Sequence, residues 1–372
     1  ADIHPRNFHS MRTAEIAGAG LAGLALAAGL GQRGWRLVVH DAADVLRSGG
    51  GGLYISRDGL WALDQLGQAA PVHERSFAPC GFETWINGKL HRAHQNDGVF
   101  RTALRKKLHD LLAETARDAG VEIRTGARVV GAGPAGTLSL EDGTRRTADL
   151  VVAADGVGSS LFKPLGLTRD LAVHHDGLVR VLVGRDNLPE GNWETSKDCW
   201  SYEGAPLRIL YSPCSPDYCY LVMMVSIDDA ERLALPTNPA LWTPAFPMLE
   251  PLLTRKPVEA RVDRYSSIRL SAWASERAAL IGDAAHAMPS SHARGANISM
   301  RNAVKLALTL DATEDIDAAL TRWQAEMRPV TAADQEEAEH LASSRSLHRG
   351  FPEIDLDDLV PSNMKPVSLE KG

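Results

Sequence analysis

The chain has 372 residues, enough for two or three domains and for a core that needs no disulfide or metal staple. Hydrophobic residues make up 44% and charged residues 23%, an ordinary globular balance that excludes disordered and fibrous classes. The net charge is −7 with no concentrated basic stripe, so nucleic acid is not an expected partner, while small anions remain compatible where arginines gather locally.

The four cysteines, Cys80, Cys199, Cys214 and Cys219, form no CxxC and no zinc-ligand spacing. They read as reduced thiols, with no metal. Residues 1–10 lack the apolar run of a secretory leader and no stretch is long enough for a membrane span, so the expectation is a cytoplasmic protein with no membrane partner.

In chain order, order is expected from about Arg12. Thr13-Ala14-Glu15-Ile16-Ala17 leads into Gly18-Ala19-Gly20-Leu21-Ala22-Gly23 and an Ala/Leu-rich run, which reads as strand, glycine turn and helix. A second apolar run from Trp35 to His40 ends in Asp41 and reads as the next strand of a βαβ unit. In such a unit Gly18 makes the tight turn, Gly20 lets backbone approach a pyrophosphate, and Gly23 allows close helix packing. Asp41 would accept from a ribose hydroxyl.

A second letter match, Gly131-Ala132-Gly133-Pro134-Ala135-Gly136, is followed by Thr137-Leu138-Ser139-Leu140, which alternates with period two. It reads as a hairpin connection, leaving no helix N-terminus for phosphate and no second dinucleotide domain. Arg105 opens a helix with Leu108 and Leu112 on one face, residues 121–124 read as a short parallel strand, and residues 148–153 as a buried strand that turns at Asp155-Gly156. Between about Leu165 and Trp273 the pattern changes to strand-like runs at residues 177–183, 207–211 and 220–225, which predict a mostly antiparallel sheet. The chain then returns to the first lobe through Gly282-Asp283-Ala284-Ala285-His286 and two helices, one near residues 298–310 and one over residues 316–344. A proline-containing tail from Pro352 reads as poorly ordered.

Three ordered motifs, Gly18 to Gly23, Ala154-Asp155-Gly156 and Gly282-Asp283, resemble those of the single-component FAD-dependent aromatic hydroxylases, the para-hydroxybenzoate hydroxylase class. A narrower resemblance is to the 2-methyl-3-hydroxypyridine-5-carboxylic acid oxygenases, which hydroxylate a pyridine and open its ring. It is carried by Phe82-Glu83-Thr84-Trp85, Gly177-Leu178-Val179-Arg180, Arg208-Ile209-Leu210-Tyr211-Ser212-Pro213-Cys214 and Ser344-Arg345-Ser346-Leu347.

The resemblance implies an α/β fold: a Rossmann-like, GR2-type FAD-binding lobe from residues 12–80, 99–165 and 274–345, a substrate lobe from residues 81–98 and 166–273, and a tail over residues 346–372. It implies FAD as cofactor, NADH or NADPH and O2 as co-substrates, and a C4a-hydroperoxyflavin that oxygenates a small aromatic acid. A monomer or homodimer is expected. The implied FAD contacts are Gly18, Gly20, Leu21, Ala22, Gly23, Asp41, Gly52, Arg105, Asp155, Gly156, Gly282, Asp283, Arg294, Gly295, Ala296 and Asn297. Arg101 begins an overlapping copy of the Arg105 pattern and is the second choice.

Arg180 and Arg208 sit inside apolar strand runs, where an unpaired guanidinium is costly and needs an anionic or carbonyl partner. With Tyr220 they are the implied catalytic set, orienting the substrate anion and hydrogen-bonding the ring. Tyr54, Phe82, Tyr211, Tyr265 and His292 are the implied substrate wall, although Tyr211 and Tyr220 also read as core tyrosines on the residues alone. His286, at the start of a helix, reads as structural.

The sequence departs from the family at Phe82, where the relatives carry tyrosine, at Arg294, where they carry glutamine, and at Phe162 beside Lys163, where an arginine is usual. Alternative readings are a hydroxylase of a benzenoid, salicylate-like or larger phenolic substrate, an FAD-dependent reductase, and a non-catalytic flavin-binding protein. A Trp-x-Trp-x-Ile-Pro halogenase signature is absent.

Overall fold

A computed structural model describes residues 11–46, 49 and 51–347. A six-stranded sheet forms the first layer, with the strands Ala274–Ser275, Ala278–Leu280, Leu150–Ala153, Thr13–Ala17, Arg36–His40 and Glu122–Arg124 in that spatial order. Thr13–Ala17 pairs in parallel with both Leu150–Ala153 and Arg36–His40, and Arg36–His40 with Glu122–Arg124. Parallel pairing with helices over the faces explains why these strands are almost wholly apolar and buried. Helix Leu21–Gly31 packs on this sheet, Arg105–Asp118 and Gly295–Asp311 pack against that helix, and the helix Ile316–Ser344 runs beside the last of them.

Leu21–Gly31 is buried nearly all round, because it lies between the sheet and both neighbouring helices. Its Gly29 and Gly31 permit that approach: a Cβ on Gly29 would lie 2.8 Å from Ala307 Cβ, and one on Gly31 2.9 Å from Ala119 Cβ.

The second lobe is a seven-stranded sheet ordered Glu259–Leu270, Arg169–Gly184, Tyr218–Ser226, Leu207–Pro213, Ser196–Ser201, Gly81–Ile86 and Lys89–Gln95. All its pairings are antiparallel except that of Ser196–Ser201 with Gly81–Ile86. One face packs on a core centred on Trp242, Phe246, Ile209 and Tyr211, and the other looks back toward the first lobe. The predicted mostly antiparallel sheet is thus present, as are the closing helices.

The decoy glycine motif lies in the antiparallel hairpin of Val129–Gly133 with Thr137–Leu140, part of a separate three-stranded sheet. Leu347 is buried and Ser346 donates to Asp176 at 3.1 Å, while residues 348–372 of the expected tail lie outside the described residues. Among the described residues no helix is long and apolar enough to cross a membrane.

Candidate active site

The two lobes enclose a continuous cleft of about 670 Å³, within the range of small-molecule sites. Its first end is built from the glycine turn. Gly18 has φ +102°, and a Cβ there would lie 2.4 Å from the Ala154 carbonyl oxygen; a Cβ on Gly23 would lie 2.1 Å from the Gly18 oxygen. Gly20, by contrast, faces open space, with nothing within 4 Å of the point where a Cβ would stand. The helix that follows has no side-chain cap and no acid in its first turn, so its free N–H groups and positive dipole end point into the cleft.

Asp41 lines the same end and accepts from Ala19 N and Ala43 N, both at 2.9 Å. A recess of about 620 Å³ continues past it, between Gly18, His40, Asp41, Arg128 and Asp155. His109 donates to the Ala19 carbonyl at 2.8 Å and so fixes the turn from the helix side.

Arg105 lies half-buried on the cleft wall, its backbone N–H bonded to Gly51 O at 2.8 Å. Its guanidinium makes no ion pair among the described residues. Burial pulls its pKa down, with Asp283 opposing. Burial pushes the Asp283 carboxyl up, against Arg105, and it also pushes Asp155 up, against a hydrogen bond from Ser159. An uncapped helix N-terminus, a glycine turn packed tight at Gly18 and Gly23 and open at Gly20, and an arginine with no ion pair among the described residues form a cradle for a diphosphate, which is what the ADP half of FAD presents.

Of the expected FAD contacts, Gly18, Gly20, Leu21, Ala22, Asp41, Gly52, Arg105, Asp155, Gly156, Asp283, Gly295 and Ala296 line the cleft. Gly23, Gly282, Arg294 and Asn297 are not among the lining residues and act from behind it. A Cβ on Gly282 would lie 2.8 Å from Ala22 Cβ. Asn297 is buried, accepts from Ser56 N at 3.0 Å and donates to Tyr54 O at 2.9 Å. Arg294 is ion-paired with Asp58 and Asp334, both at 2.9 Å, and with Glu337 at 3.5 Å. Arg101 faces away, bonded to Ser76 and His73 O.

The second end of the cleft is a wall of Tyr54, Phe82, Arg180, Arg208, Leu210, Tyr220, Val222, Met224 and Tyr265. Arg180 donates to Tyr220 Oη at 2.7 Å and to Ser290 Oγ at 3.0 Å, and its Nε lies 2.7 Å from Asp263. Because the Tyr220 oxygen accepts from Arg180, its own proton is free to be donated. Arg208 is held by Asp198 through two parallel bonds, 2.7 and 2.9 Å, and its guanidinium carbon lies 4.5 Å from the Trp200 ring centroid. Burial would lower both arginine pKa values, but Tyr220 beside Arg180 and Asp198 beside Arg208 more than offset it, and both are raised. Tyr54, bonded to Ser212 at 2.6 Å, and Tyr265 are both pushed up by burial and stay protonated.

Two expected wall residues are placed elsewhere. Tyr211 cannot share a face with Arg208 on the same strand, because their separation is odd and side chains alternate. Arg208 and Leu210 face the cleft, whereas Tyr211 enters the core behind the sheet and donates to Trp193 O at 2.5 Å. His292 is fully buried, bonded to Asp334 O at 3.1 Å, and accepts from Arg294 N at 3.3 Å. Its neighbours Ser290, Ser291 and Ala293 line the cleft instead, Ala293 in a left-handed conformation with φ +56°.

Asp198, Asp263 and Ser290, the partners of the two arginines, were not anticipated. Asp263 carried a signal in the charged run Arg261-Val262-Asp263-Arg264. The run Ser196-Lys197-Asp198 carried none, since it reads as loop. Among the described residues no group of three or more His, Cys, Asp or Glu is arranged to hold a metal, and the four cysteines are unpaired thiols.

The family model of the FAD binding domain matches residues 11–337. The chain is 36% identical to the 2-heptyl-3-hydroxy-4(1H)-quinolone synthase of Mycobacteroides abscessus, over 85% of this chain and 86% of that protein. It is 26% identical to 3-hydroxybenzoate 6-hydroxylase 1 of Aquipseudomonas alcaligenes, over 83% of each. A crystal structure of 2-methyl-3-hydroxypyridine-5-carboxylic acid oxygenase superposes with a TM-score of 0.87 at 38% identity, over 92% of this chain and 94% of that one, and a solved form of that enzyme is tetrameric. With the matched FAD cradle and the sheet wall facing it, the chain belongs to the FAD binding domain family, among its FAD-dependent aromatic monooxygenases.

Proposed function

We propose that the protein uses NADH or NADPH and O2 to insert an oxygen atom into an electron-rich aromatic or N-heteroaromatic ring, releasing water and the oxidised nicotinamide. The observation that carries the proposal is the single cleft that joins the diphosphate cradle at Gly18 to Arg105 with the wall at Arg180, Arg208 and Tyr220. The names of two relatives, the quinolone synthase and the hydroxypyridine carboxylic acid oxygenase, each contain a 3-hydroxylated nitrogen ring and support a substrate of that kind.

Bound FAD supplies the redox chemistry, accepting two electrons and activating oxygen. The chain supplies position and field. Gly18, Gly20 and the helix N-terminus hold the diphosphate with Arg105, and Asp41 accepts from the ribose. Tyr220, held by Arg180, donates its proton to an oxygen substituent of the ring and stabilises negative charge developing there. Leu210, Val222, Met224 and Phe82 exclude water from the ring's other edge.

The test is anaerobic mixing of the FAD-loaded protein with NADH or NADPH, with and without 3-hydroxypyridine or 4-quinolone rings, while the flavin band is followed. Faster bleaching in the presence of a ring supports a substrate-gated hydroxylase; bleaching that no ring accelerates favours an FAD-dependent reductase. Product mass then separates hydroxylation, with one added oxygen, from ring opening, with two and loss of ring absorbance.

A further inference from the structure

The wall that faces the ring carries two arginines, and each is already matched by a carboxylate. Arg208 is 8% exposed and Asp198 fully buried, and the pair is bidentate. The remaining terminal nitrogen of Arg208 points at Met224 Sδ, 3.7 Å away, and Trp200 covers its face. The two terminal nitrogens of Arg180 are hydrogen-bonded to Tyr220 and Ser290, and its Nε is ion-paired with Asp263 at 2.7 Å. Asp263 is shared with Arg261, which is exposed at the mouth of the cleft.

A substrate carboxylate brought to this wall would lose its water without gaining an uncompensated cation, and it would approach Asp198. What surrounds Arg208 in the cleft is mostly apolar: Leu210, Val222, Met224 and Phe82, the last without the hydroxyl that tyrosine would bring, with the Tyr265 hydroxyl turned onto Met224 Sδ at 3.6 Å. Beside this lining the Tyr220 proton is free to be donated, while the exposed Arg264 also lines the cleft, open to solvent.

We infer that the ring bound here carries no carboxylate: it is an uncharged hydroxylated or oxo-substituted aromatic or N-heteroaromatic, with its oxygen on Tyr220 and an apolar substituent against Leu210, Val222 and Met224. This replaces the aromatic acid implied by sequence resemblance, and it rests on the aromatic hydroxylase reading. On this account Asp198 is a specificity residue that cancels the anion attraction of Arg208.

The test compares one ring with and without its charge. The FAD-loaded full chain is titrated at neutral pH with 2-methyl-3-hydroxypyridine-5-carboxylate and with the methyl ester of the same acid, following the visible flavin band. The ester is expected to bind at least about tenfold more tightly than the acid. In Asp198→Asn, checked for full FAD content, the acid is expected to gain about tenfold over its wild-type affinity as Arg208 is released. Tighter binding of the acid by the wild-type protein overturns the inference and leaves the hydroxylase reading intact, whatever the variant does. A folded Asp198→Asn that gains nothing for the acid also overturns it. Failure of both pyridine rings to perturb the flavin overturns the inference, and failure of a 4-quinolone as well to accelerate its reduction overturns the hydroxylase reading.

Discussion

Gly18 abuts the carbonyl of Ala154, so two motifs 136 positions apart (154 minus 18) meet in one backbone contact: a Cβ on Gly18 would lie 2.4 Å from that oxygen. The φ of +102° at Gly18 makes the same demand from within the residue.

Gly18→Ala is therefore expected to cost about 2 kcal/mol or more of stability, since both strain and a backbone clash are introduced. Gly20→Ala is expected to behave oppositely. Nothing lies within 4 Å of its added Cβ and its φ is −75°, so the denaturant midpoint stays near wild type. FAD affinity falls by about tenfold or more, because the new methyl occupies the diphosphate's approach. Gly131→Ala, whose Cβ would make an ordinary 3.5 Å contact with Ser139, serves as the control and keeps both properties. Equilibrium denaturation and flavin fluorescence titration of the three variants check the set.

Arg105→Gln is expected to weaken FAD binding by about 10- to 100-fold, the range of a charge-assisted hydrogen bond to phosphate. The fold has little at stake, because the guanidinium makes no ion pair among the described residues and lies at the cleft wall. Burial and Asp283 act on it in opposite directions, and removing it pushes the Asp283 carboxyl further up. The check is the FAD dissociation constant across a salt series, which should flatten in the variant as one cation leaves the site.

The parts legible in the sequence were those in which backbone geometry selects the residue. Gly18, Gly156 and Gly282 all have positive φ, and each sits at a turn that the motifs identified. The buried strand Ser196–Ser201 was not legible, because its letters are polar. Its charged residues are buried because Lys197 meets Glu83 at 2.9 Å and Asp198 meets Arg208 from neighbouring strands. Tyr211 was misplaced for a simpler reason: family resemblance carried a whole motif to the wall, while alternation along the strand allows only every second residue there. His292 shows the reach of tertiary context, since the left-handed turn at Ala293 and the carbonyl of Asp334 draw it into the protein.

Arg294, where the family carries glutamine, joins Asp58 and Arg301 to Asp334 and Glu337 behind the cleft-lining segment. Arg294→Gln leaves Asp58 and Asp334 with Arg301 and takes one cation away from Glu337. Breaking a buried pair outright costs about 3–5 kcal/mol, and the retained contacts of Arg301 reduce the expected loss to about 1–3 kcal/mol. Urea denaturation checks this.

His286 sets a pH limit on stability. The ring is buried against Trp273, with centroids 4.9 Å apart, and accepts from Asn302 Nδ2 through Nε2 at 3.2 Å, which requires the neutral form. Burial first, and the nearby Arg301 charge after it, push its pKa down from 6.5 to about 4. Above pH 6.5 the ring is neutral whether the chain is folded or not, and the contribution of this group is fully present. As pH falls below that value the unfolded chain takes up a proton that the folded one refuses, so stability drops until the folded-state pKa is passed. The drop amounts to about 3 kcal/mol by linkage. His286→Gln, which keeps an acceptor for Asn302 and cannot titrate, should therefore show a shallower fall in urea midpoint over this window than wild type. Parallel curves for the two proteins would remove His286 as the source.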